Sequence, residues 1–196
     1  MRSVQPLAGQ PAQAKARLTC NVPASNVQLV TGNGLDPFGF MKTKTNNNGN
    51  KDILRELRLA YAMELETVQN YIANSVHLDG VRSEVVKKEL AADIPVEVGH
   101  AQQLAHRIKT LGGRVPGSLE LTRTQTLLQP PEDSTNVVSV IKGVIAAEKN
   151  AITQYKKIIG LCEQRDFVTQ ELAIQLLGNE EEHYREFSGF LKEYQN

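Results

Sequence analysis

The stretch GNEEEHYREF, Gly178–Phe187, sets three consecutive glutamates and a histidine inside an otherwise periodic apolar pattern. Around it, Ala173, Leu176, Glu180, His183, Phe187, Phe190 and Tyr194 follow one another at alternating three- and four-residue steps. That spacing keeps one face of a helix turned toward its neighbours in a bundle. Glu180 and His183 therefore share the inward face as neighbours one turn apart, whereas Glu181 and Glu182 point elsewhere.

Three more stripes of the same kind run from Leu54 to Leu78, from Leu90 to Leu111 and from Val138 to Cys162. Each is broken near its middle by one glutamate: Glu64, Glu97 and Glu148. The second stripe repeats the Glu-x-x-His arrangement in PVEVGH, with Glu97 and His100. With 16 glutamates in 196 residues, a histidine has glutamate three before it about one time in twelve by chance. Two of the four histidines do, and both at mid-stripe. Glu64 precedes Glu97 by 33 residues and Glu148 precedes Glu180 by 32, and Tyr71 and Tyr155 each stand seven residues after the first glutamate of their half. Each half of the chain thus supplies Glu, then Glu-x-x-His.

Four carboxylates meeting in a core would raise one another's pKa values strongly or unfold the bundle. Structural ion pairs would need cationic side chains on the stripes, and none is there. Two divalent cations neutralise four carboxylates, and two neutral imidazoles complete a mixed oxygen and nitrogen shell that suits iron or manganese. The candidate metal-ligating and catalytic residues are therefore Glu64, Glu97, His100, Glu148, Glu180 and His183. His77 and His106 lack the glutamate and read as surface or helix-end residues. Tyr71 and Tyr155 read first as core aromatics, placed also for hydrogen bonding behind a metal. Glu66, Glu181, Glu182 and Glu186 read as solvated or subunit-facing charges.

The stripes imply helices over about 51–78, 81–111, 135–162 and 166–194. Gly112 and Gly113 cap the second, and a long connection through Pro116, Gly117, Pro130 and Pro131 leads to Ser134. Short links on either side and one long crossover between predict an all-α, antiparallel four-helix bundle. The crossover is long enough to run the length of the bundle, which would start the third helix beside the end where the first began. Pro95, two residues before Glu97, lacks a backbone donor and is expected to kink its helix or force a bulge.

Residues 1–50 carry scattered prolines, the run NNNGN and no sustained period, and are expected to form an irregular arm. The arm holds five basic residues against one acid, and residues 51–196 hold 17 against 21. Overall charge is zero, which argues for neither a nucleic-acid nor a membrane partner. Cys20 and Cys162 form no CxxC, which excludes a zinc ribbon or rubredoxin-type site. No stretch is apolar enough for a standard signal peptide or a transmembrane helix, and a cytoplasmic location is expected.

A helix with Glu-x6-Tyr, a helix with Glu-x-x-His, a crossover and the same pair again resembles the ferritin-like di-iron superfamily, over about residues 51–195. ELETVQNY, EVGHAQQLAHRIKTLGG and EEEHYREFSGFL are most similar to bacterioferritins and to Dps-like proteins with a bacterioferritin-type centre. The resemblance implies two iron ions per subunit, with manganese the alternative. Glu64 and His100 would bind one, Glu148 and His183 the other, and Glu97 and Glu180 would bridge. It implies oxidation of Fe(II) by O2 or H2O2 and storage of the product in a hollow homo-oligomer. Val98 stands where bacterioferritins place the haem-binding Met, so haem is not expected. The chain ends with its fourth helix, which favours a dodecamer over a 24-mer. A peroxidase or catalase on the same bundle is the nearest rival. DNA coating through the basic arm is another, not favoured because the basic residues are scattered rather than clustered.

Overall fold

The first two helices form because their apolar positions recur at bundle spacing, and each ends where its backbone groups find other partners. In the computed structural model, which describes residues 47–195, α1 spans Asn47–His77, α2 Glu84–Thr110, α3 Val137–Cys162 and α4 Phe167–Gln195. Short 3-10 turns at Val81–Ser83 and Ser118–Glu120 lie in the connections. Gly112 closes α2 with a left-handed φ of 78°, as Gly113 N–H donates to Ile108 O at 2.9 Å. Asn136 caps α3 by accepting from Ser139 N–H at 3.2 Å. Asp166 does the same for Thr169 N–H at 3.0 Å, and Arg107 from the far end of α2 grips its two oxygens at 2.7 and 2.8 Å. One carboxylate thus starts α4 and ties it to α2. The arm expected over 1–50 lies outside the described residues, except that α1 already includes Asn47–Asn50: asparagine and glycine are tolerated in a first turn, whose N–H groups have no helical partners. Cys20 also lies outside them, and Cys162 is a buried free thiol.

Helices α1 and α2 pack as one antiparallel hairpin, α3 and α4 as another, and α1 rests against α3. Asp79 N–H, just past α1, donates to Ser134 O at 2.9 Å, just before α3. The crossover therefore does run the bundle's length, but it delivers α3 to the end where α1 finishes, not where it began. Helix α2 ends beside the start of α1, so a connection that traverses the bundle must arrive at the opposite end; α3 is parallel to α2 and antiparallel to α1.

The crossover is fastened to α1 along the way. Glu66 accepts from Thr124 N–H at 2.8 Å, Gln125 N–H at 3.0 Å and the Thr124 hydroxyl at 3.2 Å. Glu66 is 4% exposed, so its reading as a solvated charge is corrected: one carboxylate absorbs the backbone donors of a chain segment that has no helix or sheet to absorb them. Asn70 donates to Gln125 Oε1 at 3.0 Å and Asn74 to Leu128 O at 3.2 Å. On the other side, Gly143 of α3 lies under the crossover so closely that a Cβ there would sit 2.5 Å from Leu127 O.

Two apolar clusters fill the bundle. One gathers Ile53, Leu57, Leu104, Ile108, Ile158 and Leu176; the other gathers Leu78, Val86, Leu90, Ile141, Val144 and Phe187. Each such side chain, fully buried, contributes about 1.5–3 kcal/mol. Between the two clusters lies a layer of charge. Pro95 does not interrupt α2, which runs as an α-helix from end to end. Ala91, whose carbonyl loses its N–H partner to the proline, is exposed, where water can replace it. Among the described residues no helix is long and apolar enough to cross a membrane.

Candidate metal centre

Each of the four helices delivers one glutamate to the layer between the apolar clusters, and α2 and α4 each add a histidine one turn further on. Glu64, Glu97, Glu148 and Glu180 are at most 2% exposed, and so is His100. Donor atoms of Glu64, Glu97, His100 and Glu180 lie within 4.8 Å of one another, and so do those of Glu97, Glu148, Glu180 and His183. Glu97 and Glu180 belong to both groups. All six residues singled out by the sequence are brought together, in two overlapping sets that could each hold one cation. His77 and His106 are not part of the cluster: His77 is exposed with Nε2 2.7 Å from Pro131 O, and His106 is exposed.

Both imidazoles aim Nδ1 into the layer. His100 Nδ1 lies 3.0 Å from Glu180 Oε1, 3.3 Å from Glu97 Oε2 and 3.8 Å from Glu64 Oε2. His183 Nδ1 lies 3.2 Å from Glu97 Oε1 and 3.9 Å from Glu180 Oε2. Crowding of acids away from water distorts their protonation. Burial, with the charge of Glu97, pushes Glu64 up to about 8, and burial likewise raises Glu148 and Glu180. Burial also opposes ionisation of Glu97, yet the imidazoles of His100 and His183, close against its two oxygens, override it and hold Glu97 well below the usual range. Burial works against charge on the histidines too, but their carboxylate neighbours push His100 up to about 12 and His183 to about 9.

Hydrogen bonding leaves the centre incomplete. Among the described residues, both oxygens of Glu97, Oε1 of Glu180 and Nδ1 of both histidines are buried without a hydrogen-bond partner. Buried polar atoms are normally satisfied, and an orphaned set that converges on one volume fits a bound cation. Carboxylate oxygens and imidazole nitrogens, with no thiolate among them, suit a divalent iron- or manganese-class ion.

The groups behind the ligand set are ordered in pairs. The Tyr71 hydroxyl donates to Glu148, and that of Tyr155 donates to Glu64, each tyrosine reaching from its own half to the glutamate of the other. Both rings are fully buried, so they are packed core aromatics as well as supports for the acids. Sequence reasoning passed over two further residues. Asp93, one turn before Glu97 on α2, is 7% exposed with one oxygen 3.8 Å from His183 Nε2. Its place four residues before Glu97 puts it on the same helical face, a signal the stripe of apolar residues masked. Asn179 sits 2.9 Å from His100 Nε2, and nothing in the spacing marks it. Glu181 and Glu182 point outward, as expected, pairing with Lys156 at 3.2 Å and Arg185 at 2.5 Å.

Residues 54–196 match the family of ferritin-like domains. A DNA protection during starvation protein from Pyrococcus furiosus is 27% identical over 175 residues, spanning 87% of this chain and 86% of that protein. Among solved structures, a dodecameric thioferritin from Bacteroides fragilis, described as bacterioferritin-related, superposes with a TM-score of 0.68 at 25% identity, covering 74% of this chain and 88% of that one. A ferritin-like, diiron-carboxylate protein from Bacillus anthracis gives 0.62 at 25% identity, covering 73% and 97%.

Proposed function

Given that the chain belongs to the ferritin-like family, we propose that it binds two Fe(II) ions as substrate in the four-helix layer, oxidises them with O2 or H2O2 and stores the ferric product. In this reading Glu64 and His100 hold one ion, Glu148 and His183 the other, and Glu97 and Glu180 bridge. The observation that carries it is the convergence of orphaned donor atoms from Glu97, Glu180, His100 and His183 on one buried volume, with no lysine or arginine among the described residues paired to them. Iron supplies the redox chemistry, one electron per ion passing to the oxidant. The protein's part is to bring two cations together, to release the protons displaced from the histidines and the raised glutamates, and to keep bulk water out between two apolar clusters.

A homo-oligomer, with twelve subunits the preferred count, would supply the storage volume. Two features support self-association. The B. fragilis neighbour is described as dodecameric, and this chain exposes Ile72 and Val76 on α1 and Phe167, Val168 and Ile174 on α4. Sedimentation of the purified protein gives the count directly. The name of the P. furiosus relative favours a second reading, in which the basic residues 1–50 add DNA binding. A gel shift at low salt with and without those residues decides it, unchanged retardation excluding the arm.

The deciding experiment is an anaerobic Fe(II) titration of the metal-free protein followed by an air pulse. The expected result is a break near two irons per chain that Glu180→Ala abolishes, with turnover continuing past it. Turnover that stops at the break points to a fixed di-metal cofactor of the peroxidase or catalase kind. No break, or one that Glu180→Ala leaves in place, sinks the reading.

A further inference from the structure

The two halves of the layer are matched in every supporting group but one pair. Each terminal glutamate is held by a tyrosine from the opposite half, and each histidine turns Nδ1 inward. Behind the histidines the chemistry differs. His100 Nε2 meets the side-chain amide of Asn179 at 2.9 Å, whereas His183 Nε2 faces a carboxylate oxygen of Asp93 at 3.8 Å. Asp93 is 7% exposed, and among the described residues its Oδ2 is buried without a partner and its one ion-pair partner is His183.

A neutral imidazole that offers Nδ1 to a cation must carry its proton on Nε2. A carboxylate only accepts hydrogen bonds, so Asp93 favours that tautomer of His183 and no other. An amide both donates and accepts, so Asn179 accommodates either tautomer of His100 and prepares neither. When ionised, Asp93 also makes the imidazole of His183 the better electron-pair donor, which a neutral amide does not do for His100. Access runs the same way: the His183 side chain is 11% exposed against 2% for His100.

We propose that Asp93 and Asn179 rank the two cation positions, so that the position of Glu148 and His183 fills first and binds more tightly than the position of Glu64 and His100. The ranking rests on the reading of the layer as a two-cation centre. Asp93 and Asn179 act as positioning residues, through the imidazoles and not on the cation itself. The exchange of an amide for a carboxylate is therefore enough to invert or level the order.

Anaerobic Co(II) titration of the metal-free, full-length protein tests this, following the visible d–d bands together with calorimetric heat. The expected result for the unmodified chain is two successive events of one ion per chain, their affinities separated by about 10–100-fold. Asp93→Asn is expected to weaken the first event by about 10–100-fold and merge it with the second, and Asn179→Asp to strengthen the second toward the first. His100→Ala should keep the tighter event and its spectrum, His183→Ala only the weaker. Asn179 is exposed, so its variant tests the ranking even if Asp93→Asn fails to fold. Two equal events that Asn179→Asp leaves equal, or a tighter event lost with His100 and kept without His183, would overturn the ranking. Failure of the chain to bind Co(II) at all, or binding indifferent to Glu180→Ala, would overturn the two-cation reading instead.

Discussion

At the scale of single residues, the centre depends on side chains that hold other side chains. Glu64 has no fixed reason to point its carboxylate at His100 until the Tyr155 hydroxyl occupies one of its oxygens, and Tyr71 does the same for Glu148. Tyr155→Phe removes that donor and keeps the ring that fills the apolar cluster, so the fold should survive with little change in thermal midpoint while Co(II) affinity drops about 10–100-fold. Isothermal titration beside a melting curve separates the two effects, and an unaltered isotherm would reduce the tyrosine to packing. The six acids and imidazoles and both tyrosines were legible in the sequence because they sit on a period of three and four residues, the same period that buries them. Asp93 lies on that face as well but precedes Glu97 by four in a segment where Ile94 and Leu90 dominate the reading. Asn179 was not legible at all, since it borders Glu180 in sequence and reaches His100 only across the α2–α4 interface.

At the scale of elements, the helices were read to within a few residues because their caps are local: Gly112 past α2, Asn136 before α3 and Asp166 before α4 each satisfy a helix end from a neighbouring position. The crossover was legible in length but not in attachment. Nothing in its sequence announces that Glu66, some 58 residues away, receives the backbone of Thr124 and Gln125, and a glutamate two residues from a seam glutamate is indistinguishable by period from a solvated one. The stripe was equally silent about Thr67, Asn70 and Asn74, which lie off it on α1 yet are buried because they face the crossover rather than a helix. Glu66→Ala should strip the partner from the Thr124 and Gln125 N–H groups, the second of them buried, and destabilise the protein by about 1–3 kcal/mol. Gly143→Ala should cost a similar amount, about 1–3 kcal/mol, by driving a methyl against the Leu127 carbonyl on the opposite side of the same segment. Urea midpoints measure both. Limited proteolysis then locates the damage: new cleavage confined to residues 114–136 is the expected pattern, and loss of protection across the whole bundle would place these contacts in the core instead.

At the scale of the whole molecule, the bundle holds its two apolar halves together across a layer that is costly to keep free of metal, and pH reveals that cost. Glu64 titrates at about 8 in the fold against about 4.5 when free, Asp93 at about 7 against 3.8, and His183 at about 9 against 6.5. A pKa raised by folding means that the folded chain binds more protons than the unfolded one between the two values. Stability then falls as pH rises through that interval. Glu97 runs the other way, its pKa lowered by His100 and His183, so its contribution is complete above about 4.5 and is lost only in stronger acid. Between pH 5 and 9 the first three groups therefore act in one direction while Glu97 stays constant. The thermal midpoint of the metal-free protein should decline steadily across that range. Divalent cations replace the bound protons with fixed charge, so Co(II) should raise the midpoint most at the alkaline end and flatten the profile. Differential scanning calorimetry in chelator and in Co(II), at equal ionic strength, makes the comparison. A metal-free midpoint that rises from pH 5 to 9 would mean that the acids of the layer are already neutralised by something other than protons. Glu64→Gln supplies the internal control: with one raised carboxylate replaced by an amide, the decline between pH 5 and 8 should become shallower while the affinity for cations falls.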